Sequence, residues 1–308
     1  MRVLLYSAGD DAATWVAALR RALPAAHIDS WPAPAAQPPD YALVWKPPSE
    51  LLGELARVKA IFNLGAGVDA LVRAASLPGD VPLIRLEDAG MAEQMAEYVC
   101  HAVLRRYREF DVYAAQQRAG VWQPRPPARK PGFGVGVLGL GVLGMAVASA
   151  LMPFGFALRG WSRTPKAVAG VASYVGRSEL DAFLAGTQLL VCLLPLTRDT
   201  QGLLDRSTLS RLPRGACVVN VSRGALVVDA DLLDLLDSGH LAAAMLDVFV
   251  DEPLPAAHRF WHHPRVALTP HVAAITRVEA AVAQIAAKIG QLEAGLPVSG
   301  VVARARGY

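Results

Sequence analysis

Three side chains far apart in the sequence could together run a proton-coupled reduction: Arg223, Glu252 and His271. Arginine offers a planar fork of donors that suits a carboxylate and an adjacent carbonyl. Histidine titrates near neutral pH, so it can give and take a proton. A carboxylate beside the imidazole favours its charged form and fixes its orientation. Each residue follows an apolar run that reads as a buried strand. Cys217–Val221 precedes Ser222-Arg223-Gly224, Ala243–Phe249 precedes Asp251-Glu252-Pro253, and Val266–Leu268 precedes Thr269-Pro270-His271. Ligands of open parallel sheets bind beyond the carboxyl ends of the strands, which puts all three loops on one edge. Singly, each residue has an ordinary reading: a surface arginine at a strand end, a Glu-Pro turn, a structural histidine after proline.

A fourth feature gives the three their meaning. Gly139-Leu140-Gly141-Val142-Leu143-Gly144 stands between the apolar run Val135–Leu138 and the helix-forming stretch Met145–Leu151. In a strand, glycine turn and helix of this kind, the first glycine allows the tight turn. The second lets backbone approach a pyrophosphate, and the third lets the helix pack close to the strand. The helix N-terminus offers free N–H groups to phosphates. An ordinary tight turn in a glycine-rich α/β protein is the bland alternative. With a nicotinamide as hydride donor, Arg223 as anion clamp and His271 as proton donor, the expected reaction is reduction of a 2-oxo acid.

The elements that must position these residues read as α/β throughout. The chain has 308 residues, enough for two domains, and at 53% hydrophobic and 19% charged it has ample core. A net charge of +3 is spread out. Arg105-Arg106-Tyr107-Arg108 reads as a solvated helix face, so neither nucleic acid nor a membrane is an expected partner. Cys100, Cys192 and Cys217 lack metal spacing and sit in apolar segments, which suggests reduced thiols and a cytoplasmic protein. The chain starts directly with strand-like Val3–Tyr6, has no signal-peptide layout and has no long apolar stretch. Strands are expected near 2–6, 41–45, 60–64 and 81–84, with proline-rich loops at Trp31-Pro32-Ala33-Pro34 and Lys46-Pro47-Pro48. Met91, Met95, Val99, Val103 and Tyr107 recur every fourth residue and predict one helix to about Arg118, stopped by Gly120. Trp122–Pro127 reads as loop. A second strand series ends near Gly139, Trp161, Leu194, Val221, Val248 and Leu268, and a helix is expected over 272–293. The fold class is two Rossmann-like or flavodoxin-like domains with parallel sheets and an active-site cleft between them. Residues 1–104 with 271–308 form a discontinuous substrate-binding domain, and 105–270 the dinucleotide-binding Rossmann domain.

The chain resembles the D-isomer-specific 2-hydroxyacid dehydrogenases, and within them the glyoxylate/hydroxypyruvate reductase A group. The resemblance is carried by Asn63-Leu64-Gly65-Ala66-Gly67-Val68-Asp69, the glycine turn, Trp161-Ser162-Arg163 and Asn220–Gly224. Leu246-Asp247-Val248-Phe249 with Glu252-Pro253, Pro270–Ala274 and the C-terminal Ala303–Tyr308 extend it over essentially the whole chain. It implies that Arg223 binds and polarises the substrate, that Glu252 pairs with the catalytic histidine, and that His271 is the general acid/base. It further implies that the backbone of Leu64, Gly65, Ala66 and Gly67 holds the substrate carboxylate, and that Asp247 lies near the nicotinamide carboxamide. A homodimer is implied too, with the helix after Met91 as a contact, and glyoxylate and hydroxypyruvate as substrates.

NAD-specific sites carry an acid about 20 residues beyond the glycine turn. Here Trp161-Ser162-Arg163-Thr164-Pro165-Lys166 ends the strand without one. Arg163, Lys166, Ser162 and Thr164 suit a 2′-phosphate, so NADPH is preferred and NADH possible; the alternative is that Arg163 only stacks on adenine. Candidate cofactor residues are Gly139, Gly141, Val142, Leu143, Gly144, Ser162, Arg163, Thr164, Lys166, Leu194, Pro195, Thr200, Val221, Ser222 and Asp247. Trp45 could wall the substrate pocket, as could Trp261; core or lid packing is the other reading of both. Lys46 could favour a second acidic group on the substrate or be merely solvated. Gln94 and Glu97 either face the cleft or lie on a hydrogen-bonded surface. Adjacent His262-His263 is poor spacing for one metal, and no metal site is expected. Two other readings stay open: a reductase of a larger 2-oxo acid, and a dinucleotide-sensing interaction module on the same fold.

Overall fold

Segments that are apolar at nearly every position cannot turn one face to water. Tyr41–Trp45 and Leu189–Cys192 accordingly become interior strands of parallel sheets. The computed structural model describes residues 1–9, 12–32, 37–127 and 129–308; Ala33 and Pro34 of the expected proline-rich loop lie outside them. Two units are present, one of Met1–Met91 with Ile275–Tyr308, the other of Ala92–Ala274.

The first unit opens with β1 (Arg2–Ser7), α1 (Ala12–Ala22), β2 (His27–Ser30), β3 (Tyr41–Trp45), α2 (Ser49–Glu54), β4 (Ala60–Asn63), α3 (Asp69–Arg73) and β5 (Leu83–Arg85). Its five strands are all parallel in the order β2-β1-β3-β4-β5, the flavodoxin-like arrangement. Strand β2 was not expected from the sequence: only Ile28 of its four residues is buried, as befits an edge.

The second unit contains α4 (Met91–Tyr107) from its second residue on, α5 (Phe110–Arg118), β6 (Gly134–Leu138), α6 (Val142–Leu151), β7 (Ala157–Ser162), β8 (Val171–Val175), α7 (Leu180–Ala185) and β9 (Leu189–Cys192). It continues with α8 (Arg206–Leu209), β10 (Ala216–Asn220), α9 (Asp229–Asp237), β11 (Leu241–Leu246) and β12 (Val266–Leu268). Seven parallel strands run β12-β11-β10-β9-β6-β7-β8, so the order reverses between β6 and β9. Helix α10 (Val278–Glu293) belongs to the first unit, where it packs on α1.

Three expectations need correction. The unit boundaries fall after Met91 and Ala274 rather than after 104 and 270. The reason is that Met95, Val99, Ala102 and Val103 of α4 share a core with Val135, Val137, Leu189 and Val191. The single helix to Arg118 is two, broken at Glu109, which takes a left-handed φ of 53°. Arg125 grips the Glu109 carboxylate with two bonds of 2.6 and 2.9 Å. Gly120 does end α5: its φ is +64°, its N–H bonds Gln117 O, and the Val121 N–H reaches back to Gln116 O. Finally, 272–277 is not helical, because the amides of Val272 and Ala273 are bound to the Asp247 carboxylate.

All three thiols are free, and burial pushes Cys192 up to about 12 and Cys217 to about 11. Among the described residues no helix is long and apolar enough to cross a membrane.

The first unit buries one lysine. Lys288 of α10 is 5% exposed and donates to Arg85 O, Ser299 O and Glu87 Oε2 at 3.3, 2.9 and 3.2 Å. The Ser299 hydroxyl and then the Lys288 ammonium hold the Glu87 carboxyl below its ordinary 4.5. A depressed carboxylate stabilises the fold above its unfolded value, and that contribution is lost as pH falls. Wild type should therefore have a higher Tm than Glu87→Gln at pH 7, and the gap should close as pH drops through and below 4.5. Melting curves of both proteins across that range check this.

Candidate active site

In the second unit Leu138, Cys192, Asn220, Leu246 and Leu268 are register partners across β6, β9, β10, β11 and β12. The loops that follow them leave one sheet edge together. The glycine turn follows β6 at the strand-order reversal. Gly139 has a φ of +112°, and a Cβ there would press on the Leu193 backbone. A Cβ at Gly144 would overlap the Gly139 carbonyl, so α6 lies directly on the turn. Around Gly141, by contrast, a Cβ would meet nothing within 4 Å, and Gly141 and Val142 are exposed at the start of α6. Open backbone at a helix N-terminus fits a pyrophosphate.

At the end of β10, Asn220 is fully buried. Its Nδ2 donates to Arg223 O at 2.9 Å, and its Oδ1 accepts the Ser222 N–H at 3.3 Å. The Ser222 hydroxyl donates to Leu194 O, which ties this loop to the one after β9. Gly224 packs directly on the Phe249 backbone. Arg223 is thus held in an extended conformation between two fixed loops, half-buried, with Nη1 donating to Ser222 O at 2.7 Å.

Glu252 and His271 meet. His271 Nδ1 lies 2.8 Å from Glu252 Oε2, while Glu252 Oε1 accepts the Phe249 N–H at 3.0 Å. One carboxylate oxygen is anchored, and the other faces the ring. That partner assigns a proton to Nδ1 and leaves Nε2 for exchange with a ligand. His271 itself has a φ of +54°, rare for a residue with a side chain.

The expected nicotinamide neighbour, Asp247, is 1% exposed and takes three donors: the Val272 and Ala273 amides at 2.9 and 2.8 Å and the Thr269 hydroxyl at 2.5 Å. Thr269 in turn lies 2.6 Å from Tyr98 Oη. The sequence singled out Gln94 and Glu97 on α4 rather than Tyr98. A tyrosine beside the buried stripe Met95 and Val99 needs a partner for its hydroxyl, and that was the available signal. Glu97 is exposed.

In the first unit, the loop after β4 is shaped by Asn63, 2% exposed, whose Nδ2 bonds Gly65 O and Gly67 O at 2.8 and 3.0 Å. With those carbonyls turned inward, the amides of Gly65, Ala66 and Gly67 have no partner among the described residues. Trp45 packs against Gly65, where a Cβ would come within 2.6 Å of its ring, and the Lys46 ammonium stands 5.8 Å from the centre of that ring.

The remaining candidates have local duties. Ser162 donates to Thr164 O at 2.7 Å, which commits its proton; Arg163, Thr164 and Lys166 are exposed. Thr200 closes the turn after β9 by donating to Pro195 O at 2.6 Å. Trp261 is 46% exposed with its indole N–H on Pro255 O at 3.0 Å. His263 pairs with Asp237 at 3.1 Å, and no group of metal ligands occurs among the described residues.

Residues 100–273 match the NAD binding domain of the D-isomer specific 2-hydroxyacid dehydrogenases. The chain belongs to that family. A family member from Serratia proteamaculans, called glyoxylate/hydroxypyruvate reductase A, is 49% identical over 100% of both chains. A D-isomer specific 2-hydroxyacid dehydrogenase from Xanthobacter autotrophicus Py2, solved with NADPH and MES, superposes with a TM-score of 0.96 at 44% identity over 100% of this chain and 99% of that one. The NADPH-dependent glyoxylate/hydroxypyruvate reductase of Sinorhizobium meliloti, solved with NADP and sulfate, gives 0.93 at 37% identity with the same coverage.

Contact between Gly144 and the Gly139 carbonyl leaves no room for a methyl group. Gly144→Ala should cost about 1–3 kcal/mol, the range for overpacking, and should weaken dinucleotide binding by displacing the turn. A melting curve and a cofactor titration on the same sample check both.

Proposed function

We propose that this protein reduces glyoxylate to glycolate and hydroxypyruvate to glycerate with NADPH. The observation that carries the reading is the His271–Glu252 pair at 2.8 Å, on the sheet edge that also bears Arg223 and the glycine turn. Residues 92–274 bind the dinucleotide. In the first unit the free amides of the 65–67 loop suit an anion, as oriented N–H groups do. Arg223 grips the acid and polarises its carbonyl. A bound nicotinamide supplies the hydride. His271, oriented by Glu252 through Nδ1, gives the proton from Nε2 to the carbonyl oxygen, so one hydride and one proton yield the 2-hydroxy acid.

Preference for NADPH rests on Arg163, Thr164 and Lys166, exposed after β7, in a sequence Ser162–Lys166 that contains no acid to repel a 2′-phosphate. The partner is a second copy of the chain. Helix α5 buries no residue, Trp122 is 96% exposed, and the two border a groove with Tyr113, Gln116 and Val121. A surface that presents both a projecting ring and a groove can pair with itself. Protonated free thiols fit a cytoplasmic setting.

The direct test is loss of NADPH absorbance with glyoxylate, hydroxypyruvate, pyruvate and phenylpyruvate, repeated with NADH. Turnover of the first two is expected; turnover confined to the larger acids would move the substrate, and tight NADPH binding with no turnover would favour a sensing module. His271→Gln should lower kcat strongly and leave NADPH binding intact. Glu252→Gln removes the anion that receives the Nδ1 proton and fixes the ring, so kcat should fall while NADPH binding stays intact. Arg163→Ala should raise the KM for NADPH by about tenfold or more, the worth of a charge-assisted bond, and leave that for NADH unchanged. Sedimentation should give a dimer that Trp122→Glu converts to monomer.

A further inference from the structure

We infer that Tyr98 and Thr269 are positioning residues for His271, acting through a file of hydrogen bonds that ends on the Asp247 carboxylate. The inference rests on the proposed role of His271 as proton donor. The imidazole stands on a turn that few residues with a side chain adopt: a left-handed φ of this kind is strained and persists only where its surroundings enforce it.

The enforcement is traceable bond by bond. His271 N–H bonds Asp247 O at 2.8 Å and Thr269 O at 3.1 Å. The next two amides, Val272 and Ala273, bond one carboxylate oxygen each of Asp247. Thr269, two residues before the imidazole, donates its hydroxyl to the same carboxylate at 2.5 Å. The turn is therefore hung on one buried charge from both sides. Because Thr269 spends its proton on Asp247, its oxygen must accept from Tyr98, 2.6 Å away. That makes the phenol the donor. Burial pushes Tyr98 up to about 12, which keeps that proton in place at any assay pH. Tyr98 alone in the file stands on a helix; its neighbours Met95 and Val99 lie in the core beneath the sheet. Through it the turn is referenced to a rigid element rather than to another loop. Small misplacements of a reacting group are expensive in rate, so the file should show in kcat before it shows in binding.

The experiment compares Tyr98→Phe, Thr269→Val and Thr269→Ser with wild type. Loss of one hydrogen bond should lower kcat about threefold to tenfold in Tyr98→Phe and more in Thr269→Val. The KM for NADPH should stay within about twofold, because the glycine turn is untouched. The solvent deuterium isotope effect on kcat should rise as proton delivery becomes slower. Thr269→Ser should restore both. The double variant Tyr98→Phe/Thr269→Val should be no worse than Thr269→Val, since the file is already cut. A second readout needs no turnover: the His271 ring resonance, assigned by its loss in His271→Gln, should shift or broaden in Tyr98→Phe and Thr269→Val and return in Thr269→Ser. Unchanged kcat, isotope effect and ring resonance would overturn the inference. So would parallel loss of Tm and kcat that Thr269→Ser fails to rescue. If wild type reduces no 2-oxo acid, the reductase reading fails by itself, and the ring resonance still decides whether Tyr98 and Thr269 hold His271.

Discussion

The carboxylate of Asp247 is the point on which the sheet edge depends. A buried ionised carboxylate is costly unless donors surround it, and here they come from Thr269, Val272 and Ala273. Its own N–H bonds Asn220 O and its carbonyl accepts from His271, so one residue joins the ends of β10, β11 and β12. Charge and turn require each other: without the turn the charge is orphaned, and without the charge nothing pays for the left-handed residue. A residue at such an edge need not touch a ligand to be indispensable to its shape.

Both units solve the same local problem in the same way. A strand ends on a buried asparagine, Asn63 in β4 and Asn220 in β10, and its side-chain amide captures carbonyls of the loop that follows. The captured carbonyls turn inward and the following groups are presented outward. In one unit these are the amides after Leu64; in the other it is the Arg223 side chain. An asparagine is suited to the task because it carries donor and acceptor in one rigid group that a strand end can bury.

Most of the edge was legible because its signals are one-dimensional. An apolar run followed by Arg, Glu or His marks a strand and its loop, and the glycine spacing marks the turn. What escaped was set by contacts across the chain. Edge strands β2 and β8 bury too few residues to show an apolar run. The helix broke at Glu109, just past Tyr107, the last member of the four-residue repeat, at a left-handed residue whose carboxylate Arg125 grips. The segment after His271 reads as helix by composition, but its first amides are bound by a side chain 26 residues earlier. Tyr98 was passed over for the more obviously polar Gln94 and Glu97, because a phenol's single bond has no sequence pattern. The extent of α4 in the second unit likewise followed from its buried stripe, which composition cannot assign to one sheet or another.

The loop after β4 presents only main-chain N–H groups, and its shape is imposed by Asn63 from within the core. A surface of that kind has no polar side chain of its own to exchange. Replacing Ala66 by any residue but proline would leave every hydrogen-bonding atom in place, so a scan of surface residues would pass over it as inert. The information for that surface is stored one layer down, in a residue that never reaches solvent. Trp45 and Lys46 beside the loop can then vary while the amide geometry set by Asn63 stays constant.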